Sequence, residues 1–310
     1  MKPELVTAAP LAHLRWEPAA APIGSVLLLH GVGGGRGAWD DACSATGAAL
    51  AQAGLVALAV DLPGYGLSPS IQPFDLPGMA RAVLALIDSL GSAPVALVGH
   101  SMGGMVAQEL LALAPDRVCA LVLASTSPAF GKPDGDWQAA FLQSRLAPLD
   151  AGLGMAGLAP QLVAAMVAPG AAAAVLQPAQ ALMAAVPEAT YRLALKALVA
   201  FNRRADLARI AVPTLVITGE HDRTAAPEVA QRMAQRIAGS QVQILAGAGH
   251  LLNIEQPDAF NAALSAFLNR CFGADPHRRD ATDPHRRDAA DPHRRDAADP
   301  HRRLGAGANR

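Results

Sequence analysis

Six short apolar runs recur along this chain, each ending in glycine or a polar residue, and helical patterns separate most of them. That alternation restricts the fold more than any other feature. SVLLLHG (25–31), LVALAVDLPG (55–64), PVALVGHS (94–101), VCALVLAST (118–126), TLVITGE (214–220) and QVQILAG (241–247) have the length and side-chain content of strands. Runs without polar alternation belong in an α/β fold, a mostly parallel sheet flanked by helices on both faces. The pattern predicts helices near 78–90, 102–114, 226–238 and 257–270, the last opening with Pro257, whose fixed φ suits a first helical position. An open sheet of this kind binds its ligands beyond the carboxyl ends of the strands.

The alternation lapses between Thr126 and Val212. The residues between are rich in Ala, Leu, Met and Pro and helical in character, which predicts a helical cap over 128–205, inserted above the carboxyl edge of a core made by 1–127 and 206–272. From Asp275 the chain repeats an octapeptide: DPHRRDAT, DPHRRDAA, DPHRRDAA and a truncated DPHRR. Almost nothing in it is apolar, so burial cannot offset the entropy of ordering, and its period is far below the roughly 20–50 residues of structural repeats. Residues 273–310 are therefore predicted to be a disordered tail. Its His277, His285, His293 and His301 are each followed by two arginines that oppose a cation, and no metal is expected.

A composition 52% hydrophobic and 16% charged supplies a large core, and a net charge of −1 gives no general attraction to nucleic acid or an anionic membrane. The expected partner is a small molecule. Cys43, Cys119 and Cys271 are odd in number and lack the CxxC pairing of zinc or dithiol sites, so they read as bystanders in a reducing compartment. The opening MKPELVTAAPLAHLRW places Pro3, Glu4, His13 and Arg15 where a secretory signal is apolar, and Gly and Pro break the Ala-rich stretch 151–185. A cytoplasmic location is the expectation.

Chemistry concentrates in Gly99-His100-Ser101-Met102-Gly103, a GxSxG between a strand and the helical pattern MVAQELLALA. An exposed serine on a sharp strand-to-helix turn needs small residues two positions either side, because larger ones would strike the adjoining strand and helix. A serine hydroxyl is a weak nucleophile near neutral pH, so it requires a general base that is itself held in the right tautomer. On this turn the partners follow in the order serine, acid, histidine. Asp222, in the loop past TLVITGE, is the candidate acid, with Glu220, nearer the strand, as rival. His250 in GAGH is the candidate base, ahead of His221 and His100, each tied to a neighbouring motif position. Backbone amides of Met102 and of Val32, in the loop His30–Gly35, are the candidate oxyanion donors. Phosphate binding by that glycine-rich loop is the weaker reading, because neither a following Lys-Ser or Lys-Thr nor GxGxxG spacing is present.

LLHGVGGGRGAWD, DLPGYGLS, GHSMGG, VPTLVITGEHD and GAGHLLNIEQPDAF occur in the order found in α/β-hydrolases, and the set resembles the 3-oxoadipate enol-lactonases and related carboxylesterases. The resemblance covers 25–127 and 206–268. It implies the α/β-hydrolase fold, with His30 buttressing the oxyanion loop and Asp61 with Gly64 shaping a neighbouring loop, none of them making bonds. The expected activity is cofactor-free serine hydrolysis of a small ester or lactone through an acyl-enzyme. A carbon–carbon bond hydrolase or a perhydrolase (haloperoxidase) would use the same triad, and a non-catalytic ligand receptor is disfavoured by the complete Ser-Asp-His set. Within the cap, Phe130, Trp137, Phe141, Tyr191 and Phe201 are the aromatic residues, of which Trp137 and Phe141 are candidates for substrate contact. Arg203 and Arg204 lie where the cap returns, and Arg203 is the candidate to hold a substrate carboxylate; if it is structural, an uncharged ester is favoured.

Deleting residues 274–310 should leave activity and melting temperature nearly unchanged, because a polar repeat adds no cooperative burial. A loss of several degrees in a thermal melt would contradict this.

Overall fold

The computed structural model describes residues 2–91, 93–131 and 136–273. The octapeptide repeats lie outside the described residues. All six expected strands form, and two short ones precede them. In chain order they are β1 Glu4–Val6, β2 His13–Trp16, β3 Gly24–Leu29, β4 Leu55–Val60, β5 Val95–His100, β6 Val118–Ala124, β7 Thr214–Gly219 and β8 Gln241–Leu245. They make one sheet in the order β1-β2-β4-β3-β5-β6-β7-β8. From β4 to β8 every pairing is parallel, while β2 pairs antiparallel with β4, and β1 with β2. β4, β5 and β7 are buried along their whole length, as unalternated apolar runs require. β8 is the exposed edge, with Val242 and Ile244 open to solvent.

Side chains alternate between two cores, following the strand period of two. On one face Leu27, Leu29, Leu58, Val60 and Leu97 pack against α2 (Leu76–Ser89), α3 (Met102–Leu113) and the inserted helices. On the other, Val26, Leu28, Ala57, Ala59 and Val98 meet α1 (Thr46–Gln52) and Phe260, Leu264 and Phe267 of α10 (Pro257–Gly273). The alanines on this second face leave room for the phenylalanines. Each fully buried leucine or phenylalanine contributes about 1.5–3 kcal/mol. α2 begins two residues before its predicted start, because the Asp75 carboxylate accepts the Gly78 amide at 2.6 Å and caps it.

Between β6 and β7 lie α4 (Trp137–Asp150), α5 (Gly154–Met166), α6 (Ala173–Ala184) and α7 (Glu188–Val199), followed after β7 by α8 (Pro227–Arg236) and, after β8, by α9 (Leu252–Glu255). The two ends of the insertion are bonded to each other: the Phe130 amide donates to Phe201 (3.0 Å) and the Arg203 amide to Pro128 (2.7 Å). Insertion and sheet belong to one compact unit reaching Gly273. Among the described residues no helix is long and apolar enough to cross a membrane.

The tightest backbone approach that concerns function is the turn from β5 into α3. A Cβ on Gly103 would stand 2.1 Å from the Leu29 carbonyl oxygen, and one on Gly99 would stand 2.5 Å from the Gly104 backbone. Neither can be relieved by a side-chain shift. Gly103→Ala should cost about 3 kcal/mol, at the upper end for overpacking, whereas Gly273→Ala, with open space around it, should cost little; urea unfolding midpoints of the two variants check this.

Candidate active site

Ser101 occupies the first position after β5, with φ 51° and ψ −115°, a conformation that L-residues rarely adopt. Two bonds from the end of β6 hold it there: its amide donates to the Ala124 carbonyl (2.9 Å), and the Thr126 hydroxyl donates to its own carbonyl (2.7 Å). The side chain is thereby raised over the sheet. Its Oγ lies 3.0 Å from His250 Nε2, on the loop after β8. His250 Nδ1 lies 3.0 Å and 3.1 Å from the two carboxylate oxygens of Asp222, on the loop after β7. With the proton on Nδ1 donated to Asp222, Nε2 is free to accept from the serine hydroxyl.

Asp222 and His250 are buried, at 2% and 3% exposure. Burial alone raises the Asp222 carboxyl, but the charge and hydrogen bond of His250 and the Ala225 amide outweigh it and hold the group at about 2. The Thr224 and Ala225 amides, both at 2.8 Å, also fix its orientation. Glu220 stays on the exposed surface, where it accepts the Gly247 amide at 3.0 Å and has His221 beside it at 3.8 Å. His100 does reach the site, in another capacity. Its Nε2–H donates to the His250 carbonyl at 2.7 Å, and burial pushes its pKa down to about 3, so it supports the His250 backbone as a neutral ring.

The loop after β3 is braced from below. His30 Nδ1–H donates to the Gly31 carbonyl (2.8 Å), its Nε2 accepts the Leu62 amide (3.1 Å), and the buried Tyr65 hydroxyl donates to the Val32 carbonyl (3.1 Å). Val32 lines the same cavity as Ser101, and Met102 opens α3, where an amide has no acceptor within the helix. Asp61 accepts the Arg36 and Leu67 amides at 2.9 and 3.1 Å and pairs with the Arg36 guanidinium, tying the loop that contains Gly64 to the glycine-rich loop. One acid that the sequence reading passed over is Glu255. Its carboxylate accepts three amides, Ala168 (2.7 Å), Gly249 (3.0 Å) and Leu251 (3.0 Å), and so joins the insertion to the His250 loop. The His250 amide in turn donates to the Met166 carbonyl at 2.7 Å.

Above Ser101 is a cavity of about 660 Å³ between sheet and insertion. Trp137 and Phe141 line it, and both pack on Phe130, Trp137 tilted at a ring separation of 4.9 Å and Phe141 edge-on at 4.8 Å. Tyr191 also reaches it, but Phe201 is packed into the core. Arg203 does not line the cavity, which corrects its assignment to substrate binding: its guanidinium pairs with Glu109, buried on α3, and with Asp206 at 3.1 Å. Its neighbour Arg204 is the one that faces the cavity. A second space of about 40 Å³ adjoins Ser101 and His250 on the side of Gly33, Ala179 and Leu182.

A model of the alpha/beta hydrolase family matches residues 26–263. The chain is 28% identical over 266 residues to the pimeloyl-[acyl-carrier protein] methyl ester esterase of Neisseria meningitidis serogroup B (strain H44/76), spanning 78% of this chain and 92% of that protein. Among solved structures it resembles a hydrolase from Pseudomonas aeruginosa PA01 (29% identity, TM-score 0.72, 86% of this chain and 98% of the other). It also resembles the enol-lactonase of Burkholderia xenovorans LB400 (26% identity, TM-score 0.72, 86% and 100%).

The neutral burial of His100 has a pH signature. Its folded pKa, about 3, lies below the ordinary 6.5, so between those values the unfolded chain binds a proton that the folded chain does not. Stability should therefore fall as pH drops below 6.5, by up to about 1.4 kcal/mol per pH unit for each histidine of this kind. Urea unfolding at several pH values should show a shallower slope for His100→Gln than for the parent; equal slopes would refute the neutral assignment.

Proposed function

Because this chain belongs to the alpha/beta hydrolase family, we propose that it hydrolyses a small carboxylic ester or lactone, with Ser101 as nucleophile, His250 as general base and Asp222 as the acid that orients it. The observation that carries this reading is the unbroken relay, 3.0 Å from Ser101 Oγ to His250 Nε2 and 3.0 Å from Nδ1 to Asp222, at the floor of a mainly apolar cavity. The names of the esterase and enol-lactonase relatives support the same bond type.

In the first half-reaction Ser101 Oγ adds to the acyl carbon while its proton passes to His250 Nε2, a general-base contribution of roughly 10²–10⁴ in rate. Asp222 remains ionised and balances the imidazolium. The amides of Val32 and Met102 receive the oxyanion of the tetrahedral intermediate, each such donor being worth about 10²–10³. Collapse expels the alkoxide, which takes the proton from His250 and leaves Ser101 acylated. Water then repeats the sequence: His250 takes its proton, the hydroxyl adds to the acyl carbon, and the acid leaves as Ser101 regains its hydrogen. Atoms balance with one ester and one water. A lactone follows the same course with its alcohol still tethered.

Ser101→Ala should abolish both hydrolysis of p-nitrophenyl esters and labelling by a fluorophosphonate, with circular dichroism unchanged. Asp222→Asn should lower turnover by up to about 10⁴-fold, while Glu220→Gln leaves it near the parent's. Equal labelling of parent and Ser101→Ala would remove the nucleophile; a crippled Glu220→Gln beside a normal Asp222→Asn would move the acid to Glu220.

A further inference from the structure

The lining of the large cavity is electrically one-sided. Arg145 on α4, Arg204 after α7, and Arg232 and Arg236 on α8 all border it, and among the described residues no Asp or Glu does. The chain as a whole has 25 basic and 26 acidic residues, so this is a local departure from a balanced surface. It also departs from how the chain treats most of its other arginines, since outside the cavity Arg223 and Arg270 are the two described arginines with no carboxylate within 4 Å. Arg36, Arg117, Arg192, Arg203 and Arg209 each have a carboxylate within 4 Å, whereas none of the four at the cavity has one among the described residues. Four uncompensated guanidiniums around one opening repel one another, and an anion relieves that repulsion.

Their placement is also organised. Arg204 is partly buried and pinned by donation to the Gly131 carbonyl, which leaves other N–H groups of its fork for a ligand. Arg145 is partly buried too, with its guanidinium 5.5 Å from the Phe141 ring centroid. Arg232 and Arg236 are exposed and one helical turn apart, hence on one side of α8. Other parts of the lining are apolar, including Leu162, Met166, Leu195 and Leu198. Guanidinium forks match carboxylate and phosphate oxygens two at a time.

We propose that the substrate carries an anionic group, carboxylate or phosphate, at the far end of an apolar arm from the scissile ester, and that Arg145, Arg204, Arg232 and Arg236 receive it. The inference rests on the hydrolase reading of Ser101 and narrows it: the uncharged ester favoured by a structural Arg203 gives way to a charged one.

Three methyl esters of equal chain length test it, with the far end of the acyl arm a methyl, a carboxylate or a phosphate. For the parent, kcat/KM should be roughly tenfold or more higher for an anionic ester than for the neutral one, with the gain in KM, and added salt should shrink the gain. The better of the two anions identifies the source of the charge. In Arg232→Glu/Arg236→Glu, or in Arg232→Gln/Arg236→Gln should the reversal unfold the protein, the preference should shrink or invert. Equal kcat/KM for neutral and anionic esters, or a preference untouched by both salt and substitution, overturns the inference while leaving the hydrolase reading intact. Calorimetric titration of the same esters into Ser101→Ala separates the two claims. If the parent hydrolyses none of them, tighter binding of the anionic esters that weakens in the arginine variants upholds the inference and removes the hydrolase reading, and equal binding removes the inference.

Discussion

The contact between Gly103 and the end of β3 is the constraint on which the site depends. With only a hydrogen at Gly103, the first turn of α3 comes to rest against the Leu29 and His30 carbonyls, and Ser101, entering that turn, stands at positive φ. The same approach brings Gly31 against the His100 ring and the Ser101 side chain. A second contact of this kind sets the height of the facing side. A Cβ on Gly219 would meet the Gly249 carbonyl oxygen at 2.2 Å, so the loops after β7 and β8 are pressed together where they carry Asp222 and His250. Two backbone approaches, at opposite sides of β6, therefore bring the three side chains into register.

Charge is used differently inside that frame and around it. Asp222 accepts hydrogen bonds that favour its ionised form, from His250, from the Thr224 and Ala225 amides and from the Thr218 hydroxyl. The Arg36–Asp61 and Arg203–Glu109 pairs each combine one buried carboxylate with a guanidinium that still reaches solvent. Such pairs add little net stability once desolvation is counted, and removing one partner is what costs. They fix two loops, the glycine-rich loop after β3 and the return of the insertion.

Much of this was legible in the sequence because strong local patterns carried it. Buried parallel strands are apolar throughout, and the elbow glycines, Ser101, Asp222 and His250 sit at the ends of those strands. What escaped lacks such a signal. β1 and β2 are short and mix Glu4, His13 and Arg15 with apolar residues, β1 being the edge of the sheet and β2 lying between it and β4. α1 is almost wholly buried, with Gly47 against the Trp16 ring and no side-chain cap, so it shows neither amphipathic period nor start signal. In the insertion Pro148, Pro160 and Pro178 fall inside helices, which blurs every boundary. Which arginine faces the cavity depends on one residue of phase: Arg203 turns to Glu109, and Arg204 turns inward. Glu255 had only its place at a short helical turn to mark it, and of its three amide partners two are local, Gly249 and Leu251, while Ala168 comes from the distant insertion.

Those three amides, with the bond from His250 to Met166, have a mechanical consequence. The end of α5 and the His250 loop are joined at residues 166–168 and 249–251, tightly enough that a Cβ on Gly249 would lie 2.6 Å from the Ala168 nitrogen. The roof of the cavity is therefore not a lid that swings free of the machinery beneath. A displacement of the end of α5 is passed to the loop that carries His250, through the same amides that hold the two together.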